Sequence, residues 1–211
     1  MKKLGVIIPY YNNSADCEPL FKTLMQVLYK QIVDNKDVML CVVEDGQSSD
    51  WLDNYKGIKI IRNKKNMGIS YTRNVALDYY KDKVKFILII DSDDMVDKNF
   101  IKKMLKVIDK DVADMIDCNF FVNDRLKDYK KEKRAGVCGI AIRYDLIKNL
   151  RFDEDMQISE DTKFLNQIAN LNEFIMMDKA NSNYYYQYGA NGNSLCMRYL
   201  RKEIGVNRNE R

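Results

Sequence analysis

The sequence predicts a single α/β domain with a mostly parallel central sheet and helices on both faces of that sheet. Segments typical of strands alternate with segments typical of helices, which is the pattern of α/β folds. The strand segments are continuous apolar runs, as expected where both faces of a parallel sheet are covered. The chain has 211 residues, of which 46% are hydrophobic, and no Pro-rich or Gly/Ser-rich linker divides it. We therefore expect one domain over residues 1–211.

The first half of the chain contains predicted strands and helices in alternation. The strands are "LGVIIPYYN", "VMLCVVEDG", "IKIIRN" and "VKFILIIDSDD". Helices follow the first, third and fourth strands, at "EPLFKTLMQVLYKQI", "SYTRNVALDYYKD" and "KNFIKKMLKVIDK". The first helix has Pro19 where a helix can begin and apolar residues at helical spacing from Leu20 to Leu28.

The second half of the chain is less regular. "ADMIDCNFFVND" predicts a further strand, and the charged stretch "DRLKDYKKEKRAG" predicts an exposed loop or hairpin. "SEDTKFLNQIAN" predicts a helix that Ser159 could cap. No internal repeat is present.

The residue types present exclude several chemistries. The chain has no histidine, which rules out Ser-His-Asp and Cys-His catalysis and every metal site with a histidine ligand. A metal must therefore be bound through oxygen, which favours a hard ion. The five cysteines, at positions 17, 41, 118, 138 and 196, are far apart and form no CxxC motif. This spacing predicts reduced core residues rather than a disulfide framework or a zinc site.

The charge and hydropathy patterns predict a cytoplasmic protein. The formal net charge of +4 is spread over the chain, which does not favour a dedicated nucleic-acid binder. No apolar run approaches the roughly 20 residues that span a bilayer, so we expect no integral membrane segment. The start, "MKKLGVIIPYYNN", meets Pro and Asn too early for a signal peptide.

Acidic residues gather where two predicted strands end. Glu44 and Asp45 follow one strand, and Asp91, Asp93 and Asp94 follow another. Ligands of open parallel sheets bind beyond the carboxyl ends of the strands, and alternate carboxylates such as Asp91 and Asp93 can share a divalent ion. A solvated turn with one capping Asp is the alternative. A calcium loop fails because Met95 and Val96 stand at its third-ligand and glycine positions, and no GxGxxG or P-loop motif is present.

Five motifs in order resemble the family-two glycosyltransferases of GT-A fold. They are "VIIPYYN", "VVEDGQSSD", "NMGISYTRN", "IIDSDDMVD" and "ISED". The resemblance covers the chain from Leu4 to about Ser194 and implies a Rossmann-like GT-A domain. It implies a nucleotide-sugar-binding half at 1–97, an acceptor and catalytic half at 98–196, and a basic tail at 197–211.

The resemblance also implies the residues that bind the donor, a UDP-sugar. The donor-binding residues are expected to be Pro9, Tyr11, Asp45, Arg73, Asp91, Ser92 and Asp93. Arg73 would reach the base or the diphosphate, and its alternative is an ordinary surface arginine on a helix. Mn²⁺ or Mg²⁺ on the diphosphate would be held by acids of the DxD region, namely Asp91, Asp93 and Asp94.

For catalysis, the resemblance implies that Asp161 is the general base and that Glu160 orients the acceptor or the site. The alternative is that both acids only favour the N-terminus of a helix. Tyr184 to Tyr186 and "NGNSL" resemble a segment that closes over the phosphates, although the tyrosines also fit plain core positions. Without histidine, a ligand from this segment would be a residue such as Asn193, Ser194 or Arg198.

These inferences predict a metal-dependent, inverting hexosyl- or N-acetylhexosaminyltransferase that acts by single displacement. Glu44 stands where the family usually has Asp, and "VEDGQSSD" is one residue longer than the common form, which weakens the predicted base contacts. The alternatives are a nucleotidyltransferase, for which the glycine-rich loop is missing, and a non-catalytic nucleotide-sugar-binding module. The sequence leaves open the acceptor, which could be a saccharide, lipid-linked sugar, protein or nucleic acid, and the oligomeric state.

Overall fold

The computed structural model describes residues 1–123, 125–126, 136–171 and 175–187. Within them, a short 3₁₀ helix spans Asp50–Asn54. The strands are β1 (Lys2–Tyr10), β2 (Val38–Asp45), β3 (Lys59–Asn63), β4 (Val84–Ile89), β5 (Met95–Val96), β6 (Met115–Val122), β7 (Arg125–Leu126), β8 (Ala141–Arg143) and β9 (Met177–Tyr186). The helices are α1 (Cys17–Ile32), α2 (Ile69–Tyr80), α3 (Phe100–Ile108), α4 (Tyr144–Ile147) and α5 (Glu160–Ala169).

The described strands form one sheet in the order β3-β2-β1-β4-β8-β6-β9-β5, with β7 paired to β6. Strands β1 to β4 pair in parallel, and β9 is parallel to β6. Strand β8 lies antiparallel between β4 and β6, and β5 and β7 add short antiparallel pairs. Most paired positions are therefore parallel, and the predicted α/β class with a mostly parallel sheet is confirmed.

The core lies on both sides of this sheet. Every residue of β1 from Leu4 to Tyr10 is buried, so side chains on both faces of the strand are covered. Helix α2 packs against β1 and β2, and the Tyr80 hydroxyl at its end lies 2.8 Å from the Val6 carbonyl oxygen and 2.9 Å from that of Met39. This contact fixes the helix that carries Arg73 against two central strands.

The predicted elements of the first half are all present, whereas one detail of the second half is wrong. Ser159 precedes α5 as expected, but its backbone is left-handed, with φ of 67°. Within the described residues, its side chain makes no hydrogen bond that caps α5. Glu160 and Asp161 occupy the first turn of α5. The division at residue 97 stays a prediction, and the basic tail at 197–211 lies outside the described residues.

Two predictions from composition can be compared with the described residues. Cys17, Cys41, Cys118 and Cys138 are buried and form no disulfide, as predicted, while Cys196 lies outside the described residues. None of the helices in the described part of the chain has both the length and the apolar character needed to cross a bilayer.

Candidate functional site

A buried arginine joins three acids that are far apart in the sequence. Arg73 lies on α2 and is 2% exposed. Its Nη1 atom lies 2.5 Å from Oδ1 of Asp161 and 2.8 Å from Oε1 of Glu160, and its Nη2 atom lies 3.1 Å from Oδ1 of Asp91. The start of α5, the end of β4 and the middle of α2 therefore meet at one guanidinium. We call Arg73, Asp91, Glu160 and Asp161 the Arg73 cluster.

The burial of Arg73 excludes the alternative of a surface arginine. Its guanidinium carbon lies 5.2 Å from the centre of the Phe152 ring, and Phe152 stacks on Phe164 of α5 at 4.1 Å. Nε of Arg73 is buried without a hydrogen-bond partner among the described residues. Burying a guanidinium is costly unless anionic partners compensate, which the three carboxylates do here.

The backbone before α5 is bent so that the two acids of its first turn face Arg73. Ser159 has the left-handed conformation that only glycine adopts at no cost, which for other residues costs about 1–2 kcal/mol. Glu160 and Asp161 follow directly, and Oδ2 of Asp161 also accepts a weak hydrogen bond from the backbone N–H of Val137 at 3.4 Å. The strain at Ser159 thus lies at the residue that sets the direction of the acids.

The Arg73 cluster shifts the pKa of Asp161 and of Arg73. Burial raises the pKa of Asp161, Arg73 opposes this rise, and the nearby charges of Glu160 and Asp91 add to it, so that the pKa is about 7. Burial alone would lower the pKa of Arg73, but Asp161, Asp91 and the other neighbours raise it well above its usual value. At neutral pH, Asp161 can therefore both accept and release a proton, while Arg73 stays charged.

The acids after β4 lie in two different environments. Asp91, Ser92 and Asp93 are half-buried, whereas Asp94 is 1% exposed. Oδ2 of Asp94 accepts a hydrogen bond from the Tyr184 hydroxyl at 2.5 Å, and Oδ1 accepts one from the backbone N–H of Gln187 at 2.9 Å. Burial, with further contributions from the charges of Asp91 and Asp93, raises the pKa of Asp94 well above its usual value.

The oxygen ligands fit a metal ion only in part. Among the described residues, no group of three or more Asp, Glu or Cys side chains is placed to hold an ion. Asp91 and Asp93 nevertheless offer two half-buried carboxylates at one loop. Mg²⁺ is commonly bound by one or two carboxylates together with substrate phosphates, so this pair fits an ion that a diphosphate would help to bind.

The predicted base-binding residues lie at the ends of β1 and β2, the strands that continue the sheet from β4. Pro9 is buried within β1, and Tyr11, just after that strand, is 42% exposed. Asp45 is buried; its Oδ1 accepts hydrogen bonds from the Asn63 side chain and from the backbone N–H of Met67, both at 2.9 Å. Its Oδ2 accepts one from the Gly68 backbone at 2.9 Å, so this carboxylate organises the loop that leads into α2.

Sequence reasoning missed several contacts that shape the site. Glu44, which departs from the family pattern, is fully buried and accepts hydrogen bonds at 2.7 Å from the Ser49 backbone and from Nε of Arg62. The sequence also did not predict the hydrogen bond from the Tyr184 hydroxyl to Asp94, although the run of tyrosines was a signal that this segment matters for the site. Asn193, Ser194 and Arg198, named as possible ligands, lie outside the described residues.

Comparisons with known sequences identify a family and several relatives of the chain. The family described as "Glycosyl transferase family 2" matches residues 5–177. The minor teichoic acid biosynthesis protein GgaB of Bacillus subtilis is 25% identical over 90% of the chain. The poly(ribitol-phosphate) beta-N-acetylglucosaminyltransferase TarS of Staphylococcus aureus is 27% identical over 96% of it. The chain spans only 23% and 38% of the lengths of these two relatives.

Comparisons with solved structures show the same fold. The crystal structure of TarS residues 1–349 from S. aureus in complex with UDP-GlcNAc matches 92% of the chain and 60% of its own, with a TM-score of 0.74 and 23% identity. A mannosyltransferase from Pyrobaculum calidifontis in complex with GDP-Man and Mn²⁺ matches 96% of the chain and 65% of its own, with a TM-score of 0.65 and 15% identity. The predicted GT-A fold is therefore confirmed.

Proposed function

The chain belongs to glycosyltransferase family 2, and on this premise we propose that it transfers a sugar from a UDP-sugar to an acceptor hydroxyl with inversion. The observation that carries the proposal is the Arg73 cluster. It joins Asp91, on the predicted donor side, to Asp161, the predicted general base, through a single buried cation. A family member that had become a binding module would not need this costly arrangement of buried charges.

Asp161 is proposed to take the proton from the acceptor hydroxyl as its oxygen attacks the anomeric carbon. A general base works best when its pKa lies near the working pH, and the pKa of Asp161 is about 7. Arg73 holds Oδ1 of Asp161, and the Val137 N–H contacts Oδ2 at 3.4 Å. Glu160 shares the guanidinium, so its proposed role is to orient Asp161 and hold its pKa up rather than to touch the reacting atoms.

Asp91 and Asp93 are proposed to hold Mn²⁺ or Mg²⁺ together with the donor diphosphate. Such an ion would act as a Lewis acid that neutralises charge on the departing diphosphate. Of the three predicted ligands, these two are half-buried, whereas Asp94 is turned into the protein. Ser92, which lies between them, is proposed to contact the donor as well.

The donor is proposed to lie across the ends of β1, β2 and β4. Tyr11, which is 42% exposed, and Pro9 support a place for the base near the end of β1. Asp45 is proposed to fix the base pocket through the loop that it organises, in addition to any contact with the base. Because TarS is named an N-acetylglucosaminyltransferase, UDP-GlcNAc is the first donor to test.

The acceptor is proposed to be the hydroxyl of a phosphate-containing polymer. The support is the names of two relatives, one a minor teichoic acid biosynthesis protein and the other a poly(ribitol-phosphate) beta-N-acetylglucosaminyltransferase. A cytoplasmic, reducing location is proposed with it, because the four cysteines of the described residues are buried and form no disulfide.

The test is a screen of nucleotide sugars for binding and slow hydrolysis with and without Mn²⁺, followed by Asp161→Asn. We expect UDP-GlcNAc to bind and to be hydrolysed only when Mn²⁺ is present. Asp161→Asn should lower the transfer rate about 100- to 10,000-fold, the usual contribution of a general base, while UDP affinity changes less than about threefold. The matched control is Asp153→Asn, which removes a half-buried carboxylate partner of Lys163 near the start of α5.

Three outcomes would contradict the proposal. A chain that binds no nucleotide sugar would exclude the transferase function. Binding without any hydrolysis or transfer would favour a non-catalytic module. Full activity of Asp161→Asn would show that another residue is the base.

A further inference from the structure

We propose that Asp94 is a positioning residue which, with Tyr184 and the backbone of Gln187, holds the segment from Asp91 to Asp93 in the shape that binds the metal and the donor. We call these three residues the Asp94 clamp. The sequence had suggested Asp94 as a metal ligand, and the clamp gives it a different role. The inference rests on the proposed function, because it concerns the same donor site.

The surroundings of Asp94 fit a clamp better than a ligand. Both of its carboxylate oxygens accept hydrogen bonds from the protein, one from the Tyr184 hydroxyl and one from the Gln187 backbone. The residue is 1% exposed, whereas the side chain of Asp91 is 27% exposed. A carboxylate that is closed off from solvent cannot meet a metal and a diphosphate that enter from the cleft.

A single hydroxyl connects the two ends of the acidic segment. The Tyr184 hydroxyl donates to Asp94 at 2.5 Å and accepts from the backbone N–H of Asp91 at 3.1 Å. The backbone N–H of Asp94 donates to the carbonyl oxygen of Asp91 at 3.2 Å, which closes the turn. Asp93 lies inside this closed loop, so the hydroxyl constrains the backbone on both sides of it.

Tyr184 is itself held rigidly. Its side chain is fully buried, and its ring stacks on that of Phe120 at 5.4 Å with an angle of 5° between the planes. It lies on β9 and pairs with Val96 of β5, directly after the acidic segment. Through Tyr184, the Asp94 clamp therefore connects the segment from Asp91 to Asp93 to a buried strand. Residues that orient metal ligands in this way commonly change metal affinity 10- to 100-fold when they are removed.

The experiment measures the Mn²⁺ concentration that half-saturates UDP binding, by calorimetry on the full chain at a temperature where each variant is folded. The variants are Tyr184→Phe, Asp94→Asn, Asp94→Ala and Asp93→Asn. The control is Tyr185→Phe, which loses a hydroxyl from the next residue of the same strand, where it accepts from the Asn183 side chain. A purely structural role would lower the melting temperature without changing the Mn²⁺ requirement of the folded protein.

We expect Tyr184→Phe and Asp94→Ala to raise the half-saturating Mn²⁺ concentration about tenfold. Asp94→Asn, whose amide keeps one acceptor and gains a donor, should raise it less, and Asp93→Asn should abolish the Mn²⁺ response. Tyr185→Phe should behave like the wild type.

Two results would overturn the clamp while leaving the proposed function intact. If Asp94→Asn abolishes the response as Asp93→Asn does, Asp94 is a metal ligand. If Tyr184→Phe matches Tyr185→Phe, the hydroxyl does not position the site. A wild-type chain that binds no UDP, with or without Mn²⁺, would overturn the proposed function and the clamp together.

Discussion

At the scale of single residues, the site is governed by one cation that is shared among three carboxylates. Arg73 lowers the cost of burying Asp91, Glu160 and Asp161, while burial and the charges of Glu160 and Asp91 raise the pKa of Asp161. The sequence identified all four residues but not their contacts, because ion pairs across 88 positions leave no local pattern. It also offered Asp94 as a metal ligand, which stays a prediction, since spacing alone cannot tell which carboxylate faces the cleft.

The pKa of Asp161 predicts how activity depends on pH. The base must be unprotonated, so kcat/KM should rise about tenfold per pH unit below pH 7 and level off above it. Because the charge of Glu160 helps to raise this pKa, Glu160→Gln should move the rise to lower pH. The measurement is the pH profile of kcat/KM, which reports on the free enzyme. A profile of Glu160→Gln that shifts to higher pH would contradict the assignment.

At the scale of elements, the sequence predicted the long helices and most of the long strands, but it did not predict β9 (Met177–Tyr186), the longest described strand, or the shortest strands. The period of apolar residues predicted α1, and the continuous apolar run of β4 predicted a buried strand. Strands β5 and β7 have two residues each, which is too short for any periodicity. They form only because a neighbouring strand pairs with them, and such pairing is set by tertiary structure.

One glycine is required where the end of β2 approaches the loop before α2. Gly46 has φ of 86°, and a Cβ atom there would lie 2.2 Å from the backbone nitrogen of Asn66. Gly57 has a similar φ of 79°, but a Cβ atom there would meet no other atom of the described residues within 4 Å, so it is the matched control. Gly57→Ala should cost about 1–2 kcal/mol from the backbone conformation alone.

Gly46→Ala should cost clearly more than Gly57→Ala, because the backbone at Asn66 must move as well. The measurement is the free energy of unfolding of both variants in urea. The same displacement should weaken UDP binding, since the loop contains Met67 and Gly68, which donate to Asp45. Equal costs for the two variants would show that the close approach is unimportant.

At the scale of the whole molecule, the Arg73 cluster joins the two halves of the chain. Helix α2 belongs to the parallel part of the sheet, whereas α5 follows the mixed part. Sequence motifs predicted that both halves contribute to one site, but the buried ion pairs that connect them depend on the packing of the complete domain. Arg73 therefore connects α2 to α5 and at the same time contacts the proposed general base.

This coupling predicts a large stability loss for Arg73→Met. Without the cation, buried carboxylates remain uncompensated, which typically costs about 3–5 kcal/mol, a large part of the stability of an ordinary domain. Arg151→Met is the control, because Arg151 pairs with Asp78 at the surface and such a pair contributes about 1 kcal/mol or less. The free energy of unfolding in urea should separate the two variants at pH 8. At pH 5 the deficit of Arg73→Met should shrink, because Asp161, whose pKa is about 7, is then protonated and needs no cation. A deficit that is the same at both pH values, or no larger than that of Arg151→Met, would mean that the cluster does not hold the two halves together.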